Sequence, residues 1–303
     1  MKTIRIHNQV LDHPDADYLI LAGPTAVGKT ETVMQLAAQY DIEIISGDSR
    51  QIYKYMNIGT ATPDAKLLKQ VPHHLLNDLT PDVVWNAAEF YQRARQLVID
   101  ILERGKLPVV VGGSGMYLDA LRFGLFDEQV KDPDLRQKYQ KKMDAGEAES
   151  LWNNLAELDP EYAKTFHYNN HKKLMRAYEI YESTGTIPSI AFKNSTDPFE
   201  KRELYVILDR DRPILYERIN LRVLEMLNQG LLDECQSLLD KGYTTDLYPM
   251  KTIGYKEVYA FFNEEYNEEE MIRLIQKNTR NFAKRQLTWF RNHPFDHWIN
   301  LGE

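Results

Sequence analysis

Cysteine is nearly absent: one residue, Cys235, in a chain of 303. That excludes internal disulfides and any zinc site built from several thiolates. Cys235 lies in LLDECQSLLD, a helical pattern in which a small packed side chain is the expected role. A reducing, cytoplasmic setting fits. No apolar run approaches the length of a membrane span, so no membrane partner is expected. The first twenty residues carry charges throughout and lack the apolar centre of a secretory signal. Internal repeats and low-complexity segments are also absent. Basic residues are the minority, 37 against 45 acidic, for a net charge of −8. Taken alone, that balance argues against a nucleic-acid partner. Net charge averages over a surface, however, and binding needs only a local patch.

What is present suffices for one large domain or two modest ones: 43% hydrophobic residues, 18 Tyr and 4 Trp. Four apolar stretches read as buried strands: DYLILA (17–22), IEIIS (42–46), LPVVVGG (107–113) and ELYVILDRD (203–211). Helical patterns follow at ETVMQLAAQY, at 86–104 and at SGMYLDALRFG. Residues 57–83, with Pro63, Pro72 and Pro81, read as loop. This alternation predicts an α/β fold with a P-loop NTPase-like parallel sheet core flanked by helices. From 128 to 201 no strand is expected. Four helices with Asp-Pro starts and Gly stops make this an inserted all-helical domain, splitting a core of 1–127 and 202–303. After 211 the chain reads as helical, at 213–229, 231–241, 253–262 and 268–291.

Gly23, Pro24, Thr25, Ala26, Val27, Gly28, Lys29 and Thr30 match G-x-x-x-x-G-K-[ST], with a strand before and a helix after. Such a loop turns N–H groups around phosphate oxygens at a helix N-terminus. Lys29 adds a point charge and Thr30 is placed to bind magnesium. A phosphate-transferring enzyme of this class usually carries a second acid at a strand end. LPVVVGG instead runs into Gly113, Ser114 and Gly115. The nearest acid is Asp48, just past the second strand, on the rim where such sheets bind ligands. It is read either as a reactive carboxylate or as a helix N-cap in GDSRQIY.

GPTAVGKT, ISGDSRQIYKYMNIGTATP, VPHHLLND, VVVGGSGMYLDAL, RINLRVLEMLNQGLLDE, TIGYKE and NTRNFAKRQLTWFR occur in this order. Together they resemble bacterial tRNA dimethylallyltransferases, from the first strand to residue 291. DS-x-Q-x-Y…IGTA-x-P and KRQ-x-TWFR are far more specific than the phosphate loop alone. The chain departs at Ser114, where the family commonly has Thr, and at Arg50, where Met is frequent.

The resemblance implies transfer of a dimethylallyl group from dimethylallyl diphosphate to N6 of adenosine 37, giving N6-(dimethylallyl)adenosine and diphosphate. The tRNA partners would be those reading codons that begin with U, bound through the anticodon stem-loop. The loop invites an ATP-binding label, but the implied reaction consumes none. N6 is a poor nucleophile, so a carboxylate must take its proton. Asp48 is the candidate. The leaving diphosphate needs aligned N–H groups, Lys29, and Thr30 with Mg2+ as cofactor. Arg218 and Arg222, four apart on one helix face, are either diphosphate contacts or partners of Glu217 and Glu225. Ser114 can hydrogen-bond substrate.

From Met271 to Arg291 there is no acid, while Arg273, Lys277, Arg280, Lys284 and Arg291 fall on one helical face. This stripe reads as RNA-binding or as a solvated face. The expected tRNA contacts are Asp48, Ser49, Arg50, Gln51, Ser114, Arg136, Lys172, Lys173, Arg176, Thr252, Gly254, Tyr255, Lys256, Arg280, Lys284, Arg285 and Gln286. His73 and His74 read as structural. A monomer is expected. The competing classes are an enzyme prenylating free adenine nucleotides, a small-molecule kinase and a non-catalytic RNA-binding module.

Overall fold

The computed structural model describes residues 3–13, 15–124, 132–194, 197–293, 295 and 297–302. Two compact units form, 1–122 with 199–303, and 123–198. The sequence boundary at 127/128 falls outside the described residues, and the return at 201/202 lies three residues beyond the structural one.

The larger unit opens with a hairpin, Thr3–Ile6 (β1) and Gln9–Asp12 (β2), that the sequence reading did not expect. Six parallel strands then build one sheet. Tyr18–Ala22 (β3) is buried at every position. Lys29–Ala37 (α1) leads to Ile42–Ser46 (β4), also buried throughout. Within the proline-rich stretch lie one helical turn, Ala65–Leu68 (α2), and His73–His74 (β5), so that region is not wholly loop. Ala87–Glu103 (α3) starts at Asn86, whose Oδ1 accepts the N–H groups of Ala88 and Glu89 at 2.8 and 3.0 Å. Leu107–Gly112 (β6) and Gly115–Phe123 (α4) follow.

In the smaller unit, Pro133–Asp144 (α5), Ala148–Leu158 (α6), Pro160–Ala163 (α7), His171–Thr184 (α8) and Pro188–Asn194 (α9) enclose their own core. Tyr139, Met143, Leu151, Leu155, Leu174 and Ala177 fill it. The first four match expected helices; α9 was not foreseen.

The larger unit resumes with Glu203–Asp209 (β7), then Arg212–Asn228 (α10), Leu231–Asp240 (α11), Tyr255–Phe262 (α12) and Glu268–Arg291 (α13). The chain does not stay helical. His297–Asn300 (β8) pairs parallel with β7, from Val206 opposite His297 to Asp209 opposite Asn300. Four residues are too few to show a period, so only the open edge of β7 decides this strand. The sheet order is β5-β4-β6-β3-β7-β8. β3 lies between β6 and β7, buried on both faces as a parallel sheet requires. His74 is structural: its Nε2 lies 2.7 Å from buried Glu43. Bonds from Arg104, His74 and Lys106 outweigh burial and hold the Glu43 carboxyl down to about 2.

Register brings Ala22 of β3 opposite Gly112 of β6, and Ser46 of β4 opposite Val111. Three loops therefore leave the sheet at one level. A Cβ on Gly112 would stand 2.4 Å from the Gly47 carbonyl oxygen, in backbone that cannot swing away. Gly112→Ala is expected to cost about 1–3 kcal/mol, read as a lowered melting temperature against wild type.

Candidate active site

The first of these loops is the phosphate loop. Gly23 (φ 151°), Ala26 (φ 62°) and Gly28 (φ 119°) occupy the left-handed region, and a Cβ on Gly23 would meet Leu208 O at 2.7 Å. The loop's carbonyls are held by cations. Lys29 Nζ donates to Gly23 O and Pro24 O at 2.9 and 2.8 Å. Arg218 Nε donates to Ala26 O at 2.9 Å, and Arg210 Nε to Val27 O at 3.3 Å. A peptide's N–H points opposite its C=O, so the Gly28 N–H faces away from Arg210. With those of Lys29 and Thr30, it belongs to the unpaired first turn of α1, which has no side-chain cap. Thr25 N–H is spent differently: it donates to Gln286 Oε1 at 2.9 Å.

Lys29 keeps some exposed surface, yet its ammonium end is enclosed. Desolvation brings its pKa down to about 7, with Arg222 pushing the same way and Asp48 opposing. Burial likewise lowers the pKa of Arg222, against the pull of Asp48 and Glu225. Lys29, Arg222 and Asp48 thus share one electrostatic neighbourhood. The Arg222 side chain makes no hydrogen bond or ion pair among the described residues, so its fork is available to an anion. Arg218 differs. Besides Ala26 O it holds Glu31 at 2.9 and 3.1 Å, a partner other than the expected Glu217 and Glu225. It braces the loop from outside.

Asp48 follows β4 in a turn without a helix, so it is no helix N-cap. Its Oδ1 accepts Arg50 N–H at 2.8 Å. Ser46 Oγ accepts Asp48 N–H at 3.4 Å and lies 3.1 Å from Gln51 Oε1, to which it donates. Gln51 Nε2 donates to Thr60 O and Ala61 O at 3.3 Å. Gln51, partly exposed, thus helps to shape the Asp48 loop. Farther out, the Glu234 carboxylate accepts the N–H groups of Asn57, Ile58 and Gly59 at 2.8 to 3.1 Å.

Ser114 and Ser49 line an adjoining cavity of about 560 Å³. Its walls include Tyr53, Trp85, Tyr117, Tyr248, Phe282 and Trp289. Val84, 78% exposed, and Tyr248, 65% exposed, stand at its rim, and the Arg50 guanidinium lies 4.0 Å from the Tyr248 ring centre. An aromatic slot beside a cationic loop suits a planar base or an apolar tail next to a phosphorylated group. The sequence reading missed these walls. DVVW at 82–85, with two valines ahead of a tryptophan inside a polar loop, was the available signal.

The family described as IPP transferase matches residues 51–293. The chain belongs to this family. A tRNA dimethylallyltransferase of Thermotoga neapolitana is 44% identical over 282 residues, 93% of this chain and 92% of its own. A tRNA isopentenylpyrophosphate transferase of Bacillus halodurans shares 37% identity and a TM-score of 0.69, covering 94% of this chain and 90% of that one. The structure of a eukaryotic dimethylallyltransferase acting on tRNA matches at a TM-score of 0.80 and 26% identity, over 94% and 74% of the two chains.

Within this IPP transferase several expected RNA contacts turn inward. Tyr255 is fully buried and donates to Glu234 at 2.6 Å. Gly254 N–H is taken by Glu257 at 2.7 Å, and Lys256 lies 3.4 Å from the same carboxylate. The Thr252 hydroxyl is buried as well. TIGYKE thus buttresses the Asn57–Gly59 loop through Glu234. In the smaller unit, Arg136 and Arg176 both pair with Glu179, which is fully buried and needs that compensation. Gln286 is largely buried, at the wall of the aromatic cavity. In the α13 stripe Arg273 pairs with Glu270, Arg291 with Asp209, and Arg280 bonds to Asn220. Lys277, Lys284 and Arg285 stay exposed, as do Lys172 and Lys173 on α8.

A lysine titrating near 7 links anion binding to protons. The protonated form binds diphosphate, and bound diphosphate raises the lysine pKa. Affinity for inorganic diphosphate should fall as pH rises from 7 to 9, by up to about tenfold per unit, with up to one proton taken up at pH 8. Calorimetry in buffers of different ionisation enthalpy measures both, and Lys29→Met should remove the uptake.

Proposed function

We propose that this IPP transferase moves a dimethylallyl group from dimethylallyl diphosphate to N6 of adenosine 37, in tRNAs reading codons that begin with U. One observation carries the reading. Asp48 shares the field of Lys29 and Arg222 at a phosphate loop, and an aromatic cavity large enough for an unstacked base adjoins it. The tRNA dimethylallyltransferases among its relatives make the acceptor an RNA.

In this reading the N6 lone pair attacks C1 of the allyl group. The N6–C1 bond forms as the C1–O bond breaks, and both electrons of that bond leave with diphosphate. Asp48 takes the N6 proton. Its turn at Arg50 N–H and Ser46 fixes the carboxylate for this task. Lys29, Arg222 and the first N–H groups of α1 face the charge gathering on diphosphate. Ser114, without a hydrogen-bonded side chain among the described residues, is free to hold substrate from the cavity wall. The cavity's aromatic side chains exclude water from a reactive allylic carbon.

Thr30 fits a magnesium ion: its hydroxyl is exposed beside Lys29 and bonds to nothing among the described residues. No group of three His, Cys, Asp or Glu side chains gathers among those residues, so diphosphate and water would supply the other oxygens. When bound, the ion neutralises charge on the leaving diphosphate.

Lys284, Arg285, Lys277, Lys256 and Arg50 offer the RNA surface of the larger unit. On α8, Lys172 and Lys173 stand in the first turn, where the helix dipole opposes them. That unfavourable placement is relieved by an external phosphate. Acceptor binding by these side chains is the reason to favour tRNA over a free nucleotide. The reaction uses groups from one chain, which supports a monomer. The single buried cysteine supports a cytoplasmic setting.

Mass spectrometry of adenosine 37, after incubation of tRNA with protein, dimethylallyl diphosphate and magnesium, tests the activity. Asp48→Asn should lower prenyl transfer at least ~100-fold with tRNA affinity kept; undiminished transfer refutes the proton-acceptor role. Replacing Lys284 and Arg285 with Gln should flatten the slope of log affinity against log salt by roughly 1.5–2, as measured by filter binding across a salt series.

A further inference from the structure

Gln286 sits in KRQLTW, between exposed Arg285 and a tryptophan that is 39% exposed, yet is itself only 7% exposed. Burying a carboxamide is costly unless both ends are bonded. Both are. Oε1 accepts Thr25 N–H at 2.9 Å and Nε2 donates to Gly113 O at 2.9 Å. Thr25 N can only donate and Gly113 O can only accept, so the partners dictate which way the amide lies.

These two partners belong to different halves of the site. Thr25 lies in the loop that receives diphosphate. Gly113 precedes Ser114 on the wall of the aromatic cavity. The β3–β6 ladder ends at Ala22 and Gly112, one residue before each loop begins. Beyond that point the Gln286 amide links the two main chains. Its fit is close: a Cβ on Gly113 would meet Gln286 Nε2 at 2.3 Å and Gly23 O at 3.0 Å.

We propose that Gln286 is a positioning residue, whose rigid amide sets the distance between the diphosphate loop and the Ser114 turn. The inference rests on the prenyl-transfer reading. Donor and acceptor must meet in line, so the spacing acts on the rate of bond formation, whereas tRNA affinity comes from the exposed cations.

The test compares wild type with Gln286→Met, similar in length without hydrogen bonds, and Gln286→Glu, which sets a carboxylate oxygen against Gly113 O. Single-turnover prenyl transfer to an anticodon stem-loop, KM for that RNA, inorganic diphosphate affinity and thermal melting are measured. Thr25 amide exchange is followed in the wild type. The expected result is a ~10–100-fold slower transfer in the Met variant, with RNA KM close to wild type, melting lowered by roughly a few degrees for the two main-chain groups left unpaired, an equal or greater loss in the Glu variant, and slow Thr25 exchange. A Met-variant rate within about threefold of wild type overturns the proposal. So does a loss confined to RNA KM, which would put the amide on RNA. Should both variants unfold, fast Thr25 exchange in the wild type overturns it and slow exchange supports it. Should wild type prenylate nothing, the prenyl-transfer reading fails by itself, and diphosphate affinity with Thr25 exchange still judges the tie between the loops.

Discussion

Parallel pairing of β4, β6 and β3 sets the level at which three loops leave the sheet. Ser46 stands opposite Val111, and Ala22 opposite Gly112. From these ends emerge the Asp48 turn, the Gly113–Ser114 turn and the phosphate loop. Each loop reaches its neighbours only because the strands stop together. Gly47 and Gly112 touch through backbone, which leaves no room for a side chain between β4 and β6. The chemistry of the larger unit follows from that alignment.

Cations and buried amides then fix the loops. Arg218, Arg210 and Lys29 hold carbonyls of the phosphate loop, and the Gly28 N–H, on the same peptide as the carbonyl that Arg210 holds, is left for the anionic charge. Gln51 and Gln286 do comparable work for the Asp48 loop and the Ser114 turn. Each bonds at both ends of its amide and so braces the loop it touches. Glu234 and Tyr255 add an outer tie, holding the Asn57–Gly59 N–H groups against α11. Motif residues that look like substrate contacts are in several cases supports for those contacts.

Charge is distributed to suit a polyanion without a basic protein. Much of the positive charge is internally committed: Arg136 and Arg176 to Glu179, Arg104 to Glu43, Arg273 to Glu270. Lys277, Lys284 and Arg285 make no ion pair among the described residues and lie on one helix whose first turn is acidic and therefore favourably placed. A net charge of −8 and an anionic partner are compatible because three exposed cations share one stretch of α13 that holds no acid.

Local patterning by itself determined the four core strands, the phosphate loop and most helices, since period and turn residues act over a few neighbours. The order of motifs brought the family within reach. It did not determine β8, four residues that become a strand only on the open edge of β7, or the β1–β2 hairpin. Nor did it determine direction. Gln286 in a basic run, Tyr255 in TIGYKE and Arg136 after an Asp-Pro start all read as outward from their neighbours in sequence. Their partners, Thr25 and Gly113, Glu234, and Glu179, lie tens or hundreds of residues away. The tertiary structure alone decided them, because a buried polar group turns toward whichever distant main chain or carboxylate satisfies it.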